Sequence, residues 1–275
     1  MCEGLDIKNS RRIVIKINLC DFRLPETGAI THPLFLDALL RYIRERFDDI
    51  DVYVVESDAT VGQPDLLIQW FGFLQVLKRW NASWCNLTKQ KTVRRQINGF
   101  YFKEIDVPEI FNDSYFITLA KMKTHFDVKI SCALKNQFGC IPYFRKVKYH
   151  PHIHDVIVDA NLAMRPDFCI VDGIVSMGGV YGPILGVPII ANVIVVGKDP
   201  VAVDAVCAKL IGFRPIFIKY LRKAAGAGVG SLKYKIVGGN IKDLKIDFEV
   251  GFGKREFIRI MRATRRLLKK ISSKT

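Results

Sequence analysis

The chain has 275 residues, 49% of them hydrophobic, which is enough to bury a large core as one big α/β domain or two small ones and too apolar for a disordered chain. The formal net charge is +15. Beyond Gly253, however, nine Lys or Arg face the single acid Glu256, so over half of the excess sits in the last residues and argues only weakly that the core itself binds nucleic acid. The seven cysteines are odd in number and form no C-x-x-C pair, which leaves a secreted disulfide framework, a zinc ribbon and a ferredoxin-type cluster unsupported.

The opening MCEGLDIKNSRR has no apolar h-region, and the longest apolar run, Val187 to Val196, is interrupted by Asn192 and too short to span a bilayer. A cytoplasmic protein without a transmembrane segment is expected. The first strand is expected at Arg12 to Leu19, with Lys16 and Asn18 near its C-terminal end. A Pro- and Gly-containing loop follows. Thr31 is expected to N-cap a helix with Pro33 just inside it and a stripe of Leu34, Leu36, Leu39, Ile43 and Phe47. DVYVV at 51–55 reads as a second strand, completing a parallel crossover unit and ending at Glu56 and Asp58.

Residues 64–85 read as one helix, 87–98 as a polar exposed stretch, and 99–107 as a strand. The stretch at 115–150 organises the rest. YFITLA is a buried strand, followed at once by Lys121, Lys123, Thr124 and His125, and then by a helical segment that carries Lys135 and Asn136 and stops at Gly139. A helix ended by Pro166 and the strand FCIV at 168–171 come next. That strand runs into Asp172 and a glycine-rich loop, SMGGVYGPILGVP. ANVIVVG at 191–197 is a strand. Asp199 as N-cap, Pro200 as first residue and Gly212 past the end mark a clear helix between them. A helix at 216–225 and two late strands, at 234–237 and 244–250, complete the core. The basic segment from Lys254 has helical spacing at Phe257, Ile260, Met261, Leu267 and Leu268.

Together these elements predict an α/β fold: a mostly parallel sheet flanked by helices, one domain over 1–253, with a small basic C-terminal extension at 254–275. In such a sheet the C-terminal strand ends lie on one edge, where ligands bind. Lys16, Asn18, Thr31, Lys121, Lys123, Thr124, His125, Lys135, Asn136 and Asp172 are therefore expected to converge on an anion-binding crevice. The competing reading is that strand ends simply meet solvent.

Within the crevice Lys123, His125 and Lys135 are the catalytic candidates, because an imidazole titrates near neutrality and lysines bind carboxylate or phosphate. Lys16, Asn18, Thr31, Lys121, Thr124, Asn136 and Gly182 are the substrate-binding candidates. The glycine-rich loop matches neither a Rossmann fingerprint nor a P-loop; its N–H groups could cradle an anion or simply serve a tight turn. His150 and His154 are four apart, as a metal pair on a helix would be; an alternative ligand set is His125 with His150 and an acid from a strand end such as Asp172. Asp199 and Asp204 are orienting or structural candidates, and Asp204, inside an apolar helix, calls for a partner such as Lys135 or Lys198. Cys132 and Cys140 flank the stretch and read mainly as core residues.

These motifs in this order, K-x-N-L at Lys16, K-x-K-T-H at Lys121 to His125, A-L-K-N-x-F-G at Lys135 to Gly139, K-x-x-x-H at Lys146, I-V-D-G at Asp172 and D-P-V-A-V-D-A at Asp199 to Asp204, resemble domain-of-unknown-function family 362 over about residues 12–212. The resemblance implies a fold and little chemistry. Many members carry a ferredoxin-like module with C-x-x-C runs. This chain resembles the subset without it, so electrons, if the chemistry needs them, would come from a separate iron–sulfur partner. The family often has an acid after the Met of the glycine-rich loop, where Gly178 stands here.

The reading that follows is an enzyme acting on a small anionic substrate, with reaction and cofactor open. The alternatives are a module binding RNA or an acidic partner through the C-terminal tail, and a redox or maturation partner of an iron–sulfur protein.

Overall fold

The structure is a computed structural model and describes residues 7, 10–59, 62–244 and 246–250. The basic segment from Lys254, and with it the helix or tail expected there, lies outside the described residues.

Six strands build the main sheet: β1 (Arg12–Lys16), β2 (Asp51–Glu56), β3 (Ser83–Asn86), β6 (Ser114–His125), β8 (Phe168–Gly178) and β9 (Val187–Gly197), in the order β3-β2-β1-β6-β8-β9. All neighbours are parallel except β8 and β9. A seventh, β7 (Lys129–Ser131), pairs antiparallel with the end of β6. Separately, β4 (Thr92–Gln96) and β5 (Glu104–Pro108) form an antiparallel pair.

The strands are apolar on both faces because both faces are covered. On one side Ile13, Ile15, Ile117 and Leu119 pack under α1 (Pro33–Arg44), α2 (Pro64–Trp70) and α3 (Phe73–Arg79). On the other, Val14, Val55, Phe116 and Met122 pack under α4 (Ala133–Asn136), α5 (Ile153–Ala163), α6 (Pro200–Ile211) and α7 (Lys219–Gly226). The chain steps outward from β1 to β3 with its helices on the first face. It then returns to place β6 beside β1 and continues to β8 with α5 on the second face. The strand order therefore reverses between β1 and β6. At such a switch point the connecting helices leave in opposite directions and open a crevice beyond the carboxyl ends of the strands.

Several expected elements differ. The helix expected over 64–85 is two short helices, broken at Gly72, whose φ of +78° only glycine adopts freely, and then strand β3. The exposed stretch at 87–98 contains β4; its alternation T-V-R-R-Q is masked by charge and becomes a strand because β5 supplies a partner. Strand β6 does not end at Ala120 but runs through Lys121–His125, since β8 and β7 hydrogen-bond that part too. Likewise Asp172 lies inside β8, paired with β9 as far as Gly178.

Thr31 is not the cap of α1: His32 is, its Nδ1 accepting from Leu34 N at 3.2 Å, while Thr31 Oγ1 accepts from Asn18 N at 2.8 Å. The described residues of 234–237 and 244–250 form no strand. In place of a ladder, the Phe248 carbonyl accepts from Gly179 N at 2.8 Å. Helix α6 has the expected bounds, with Asp199 accepting from Val201 N and Ala202 N and Gly212 in the left-handed conformation after its last turn. Among the described residues no helix is long and apolar enough to cross a membrane.

Candidate functional site

At the switch point, β1 leads into Asn18 and β6 ends in Lys123 and His125. Lys123 is 4% exposed and donates to Asn18 Oδ1 at 2.6 Å and to the Ala29 carbonyl at 2.8 Å. Both acceptors are neutral. Burial pulls its pKa down; the Cys20 and Asp21 side chains nearby oppose this and Arg23 adds to it. Lys135, half-buried on α4, faces the same space. Among the described residues its ammonium has no ion-pair partner and no hydrogen-bond acceptor; it lies 5.6 Å from the centre of the Phe138 ring. Its pKa falls to about 8, first through burial and then through the charges of Lys123 and Lys16, with Cys20 and Asp127 acting against them.

His125 is 7% exposed and stacks on the exposed Phe126 with ring centres 5.0 Å apart. Burial, and next Lys135 and Lys123, hold its pKa far below the ordinary range, so the ring is neutral. Its Nδ1 accepts from Asp127 N at 3.2 Å, which puts the proton on Nε2. The imidazole is thus an N–H donor beside two lysines.

The other cations nearby are already satisfied. Lys16 pairs with Glu56 at 2.7 Å, both buried, and donates to the Ile17 carbonyl at 2.8 Å. Lys146 donates to Ser57 Oγ, the Asp58 carbonyl and the Tyr143 carbonyl at 2.6–2.8 Å. Two lysines without a carboxylate and one neutral N–H donor therefore remain where β1 and β6 end. A charge buried without a partner is costly, and an arriving anion removes that cost.

The family model for the domain of unknown function DUF362 matches residues 13–209. The chain belongs to the DUF362 family. Every sequence-predicted site residue, Lys16 through Asp204, falls inside the matched DUF362 span. Over 223 residues the chain is also 24% identical to the thylakoid-associated protein sll1697 of Synechocystis sp., covering 78% of this chain and 67% of that protein. Among solved structures, the lactate racemase apoprotein of Thermoanaerobacterium thermosaccharolyticum aligns at TM-score 0.41 and 12% identity, over 60% of this chain and 43% of that one.

In this DUF362 chain the ends of β1 and β6 and the start of α4 bring Lys16, Asn18, Thr31, Lys123, His125, Lys135 and Asn136 near one another, but several of them have structural work. Asn136 donates to the Lys16 carbonyl and to Thr118 Oγ1 at 3.1 and 2.8 Å, tying α4 to β1 and β6. Thr124 Oγ1 donates to the Gly179 carbonyl at 2.7 Å, and Phe126 N to the Gly182 carbonyl at 2.8 Å. The glycine-rich segment is thereby laced to the end of β6. The N–H groups of Gly179 and Gly182 are taken by the carbonyls of Phe248 and Gly179, so they form no anion cradle. Gly182 is required for close approach: a Cβ there would stand 2.1 Å from Thr124 Oγ1.

Lys121 is engaged elsewhere. It pairs with Asp172 at 2.6 Å at the floor of a separate groove under α1. Asp204 meets neither Lys135 nor Lys198. Its carboxylate accepts from Ala133 N at 2.7 Å and Leu134 N at 3.3 Å at the start of α4, and from the Tyr220 hydroxyl at 3.2 Å. Burial raises its pKa to about 7. Asp204 thus fixes the helix that carries Lys135, an arrangement the linear sequence hides because the two helices are joined only in space. Asp199 caps α6 and also accepts from Ser231 N at 2.7 Å.

The metal candidates separate. His150 lies 3.6 Å from Asp127, His154 stacks toward Tyr220, and Asp172 is engaged by Lys121. Among the described residues no group of three or more His, Cys, Asp or Glu is placed to hold a metal. Cys132 and Cys140 are buried, and burial raises the pKa of each thiol. The cysteine nearest these lysines is the exposed Cys20, whose Sγ accepts from Asn18 Nδ2 at 3.6 Å. The signal for it lay in its position, two residues beyond Asn18 in the loop after β1.

Proposed function

We propose that this chain is an enzyme whose substrate carries a small anionic group, a carboxylate or phosphate, bound where β1 and β6 end. The observation that carries the reading is Lys135: a half-buried ammonium with neither acid nor acceptor among the described residues, beside a second lysine, Lys123, held only by neutral oxygens. Lys123, oriented by Asn18 and Ala29, takes the charge of the substrate. The Nε2–H of His125 donates to it. Lys135, with a pKa of about 8, is the group whose proton moves near neutral pH, so it replaces His125 as acid and base. The chemistry this set supports is proton transfer beside a bound anion.

Titration calorimetry of the full chain with inorganic phosphate and with malonate at pH 7 tests the reading. Saturable binding of at least one is expected. Lys123→Met and Lys135→Met should each weaken it about 10-fold or more, the worth of a hydrogen bond to a charged group. The exposed Lys89→Met should leave it unchanged. Absence of saturable binding, or equal losses in all three variants, refutes the proposal.

A further inference from the structure

The groove that holds Lys121 and Asp172 is distinct from the anion crevice. It has a volume of about 490 Å³ and lies between α1 and the outer face of β8 and β9, within the range of roughly 300–1,000 Å³ typical of small-molecule sites. Its walls are apolar: Leu34, Phe35 and Ala38 from the helix, Ile174, Ile194 and Val196 from the strands. Leu34 is 70% exposed and Ile194 44%, so large hydrocarbon side chains stand in water along its rim.

At the floor sits an ion pair, Lys121 Nζ to Asp172 Oδ2 at 2.6 Å, with both side chains 1% exposed. The other carboxylate oxygen of Asp172 accepts from Ile174 N at 3.0 Å. An ammonium has three N–H donors. Among the described residues Asp172 is the acceptor that Lys121 has, and two donors are left over beneath an apolar cavity. Unmatched buried donors are expensive, so the cavity floor favours an oxygen acceptor.

We infer that this groove binds a neutral amphiphile: a hydrocarbon chain or ring along the apolar walls, with a ketone, ester or hydroxyl oxygen at its inner end accepting from Lys121. The charge balance selects the head group. Asp172 already neutralises the ammonium, so a carboxylate head would enter beside a buried carboxylate and be repelled. A plain hydrocarbon would leave the two donors unmatched. The site needs neither Lys123 nor Lys135 and stands whether or not the anion crevice is catalytic.

The test uses the full chain and the neutral fluorescent probe N-phenyl-1-naphthylamine. Saturable fluorescence enhancement is expected, reversed by 2-undecanone at concentrations about three- to tenfold below those needed of 1-undecene, the worth of one hydrogen bond. Decanoate should displace the probe more weakly than the ketone. Ala38→Trp, at an exposed position on the rim, should abolish probe binding while phosphate binding and the far-UV spectrum stay as they were. The double variant Lys121→Met with Asp172→Asn removes both charges together; it should keep the probe but lose the preference for the ketone. The inference is overturned by any of three results: no saturable probe binding, decanoate displacing as well as the ketone, or an Ala38→Trp variant that binds like the parent. Self-association that Ala38→Trp abolishes, without probe binding, would assign the groove to a second copy of the chain and overturn it equally.

Discussion

Replacing Lys135 with Met should stabilise the protein while weakening its anion binding. The fall of the Lys135 pKa from 10.5 to about 8 has burial as its first cause. At about 1.4 kcal/mol for each pH unit, the charged ammonium is roughly 3 kcal/mol less favourable in the fold than in the unfolded chain. Solvent at the crevice mouth reduces that figure, and losing the contact with the Phe138 ring removes about 0.5–1 kcal/mol of stabilisation. Methionine keeps most of the aliphatic stem. A net gain of about 1–2 kcal/mol at pH 7 remains, equivalent to a rise in Tm of roughly 3–6 °C for a chain of this size.

The sign reverses nowhere, but the gain is confined to a pH window. Below pH 8 the lysine is protonated in both states and its full cost is present. Between about 8 and 10.5 the folded form has lost its proton and the unfolded form has not, so wild-type stability rises with pH. The variant has no such rise, and the two proteins should converge by about pH 10.5. Urea denaturation of both at pH 7, 9 and 10.5, beside phosphate titrations, measures this. A Lys135→Met protein that is less stable than wild type at pH 7, or whose difference from it does not shrink with pH, would refute the argument that this lysine is an uncompensated charge held for a ligand.

Four further outcomes follow from the same geometry. Asp204→Ala leaves Ala133 N and Leu134 N without their acceptor, while the Tyr220 hydroxyl keeps the Ile130 carbonyl at 3.3 Å; at about 1–3 kcal/mol for each buried donor the loss should be roughly 2 kcal/mol or more by urea denaturation. Because the Asp204 pKa is raised from 3.8 to about 7, its contribution is full at low pH and fades as pH rises through that window; Asp204→Asn should flatten this slope, and an unchanged slope would contradict it. Gly182→Ala should lower Tm, since its Cβ would meet Thr124 Oγ1 at 2.1 Å and the Thr124 carbonyl at 2.9 Å, an overpacking worth about 1–3 kcal/mol; an unchanged melt would mean the segment is not bound to β6 as described. His125→Gln retains a neutral N–H donor, so phosphate affinity should stay within about threefold, and the pH profiles of variant and wild type should run parallel between pH 5 and 7, since phosphate titrates alike in both; an inflection present in wild type and absent from the variant would show that the ring titrates after all.

Much of the fold was legible in the chain. Apolar β-branched runs announced β1, β2, β6, β8 and β9, and Asp199, Pro200 and Gly212 bounded α6 correctly, because caps and burial on both faces are local or periodic signals. What failed locally failed for want of a partner. The alternation in β4 needs β5 to become a strand, and the late segments at 234–237 and 244–250 had strand composition but, among their described residues, no ladder to join. The cap of α1 moved and the partner of Asp204 changed for the same reason: Thr31 and Asp204 bond to atoms that only the packed structure brings within reach.

The candidate site divides along the same line. By itself the sequence determined which residue types follow the apolar strand runs, and from that came the expectation of lysines, an imidazole and amides at one edge of a parallel sheet. Only the tertiary structure decided which lysines keep their charge uncompensated. Lys121 meets Asp172 from 51 positions away, and Lys16 meets Glu56 across neighbouring strands, while Lys135 meets no acid among the described residues. Charge type is written in the chain, but neutralisation is a matter of distance, and distances between residues far apart in sequence exist only once the strands have paired and the helices have packed.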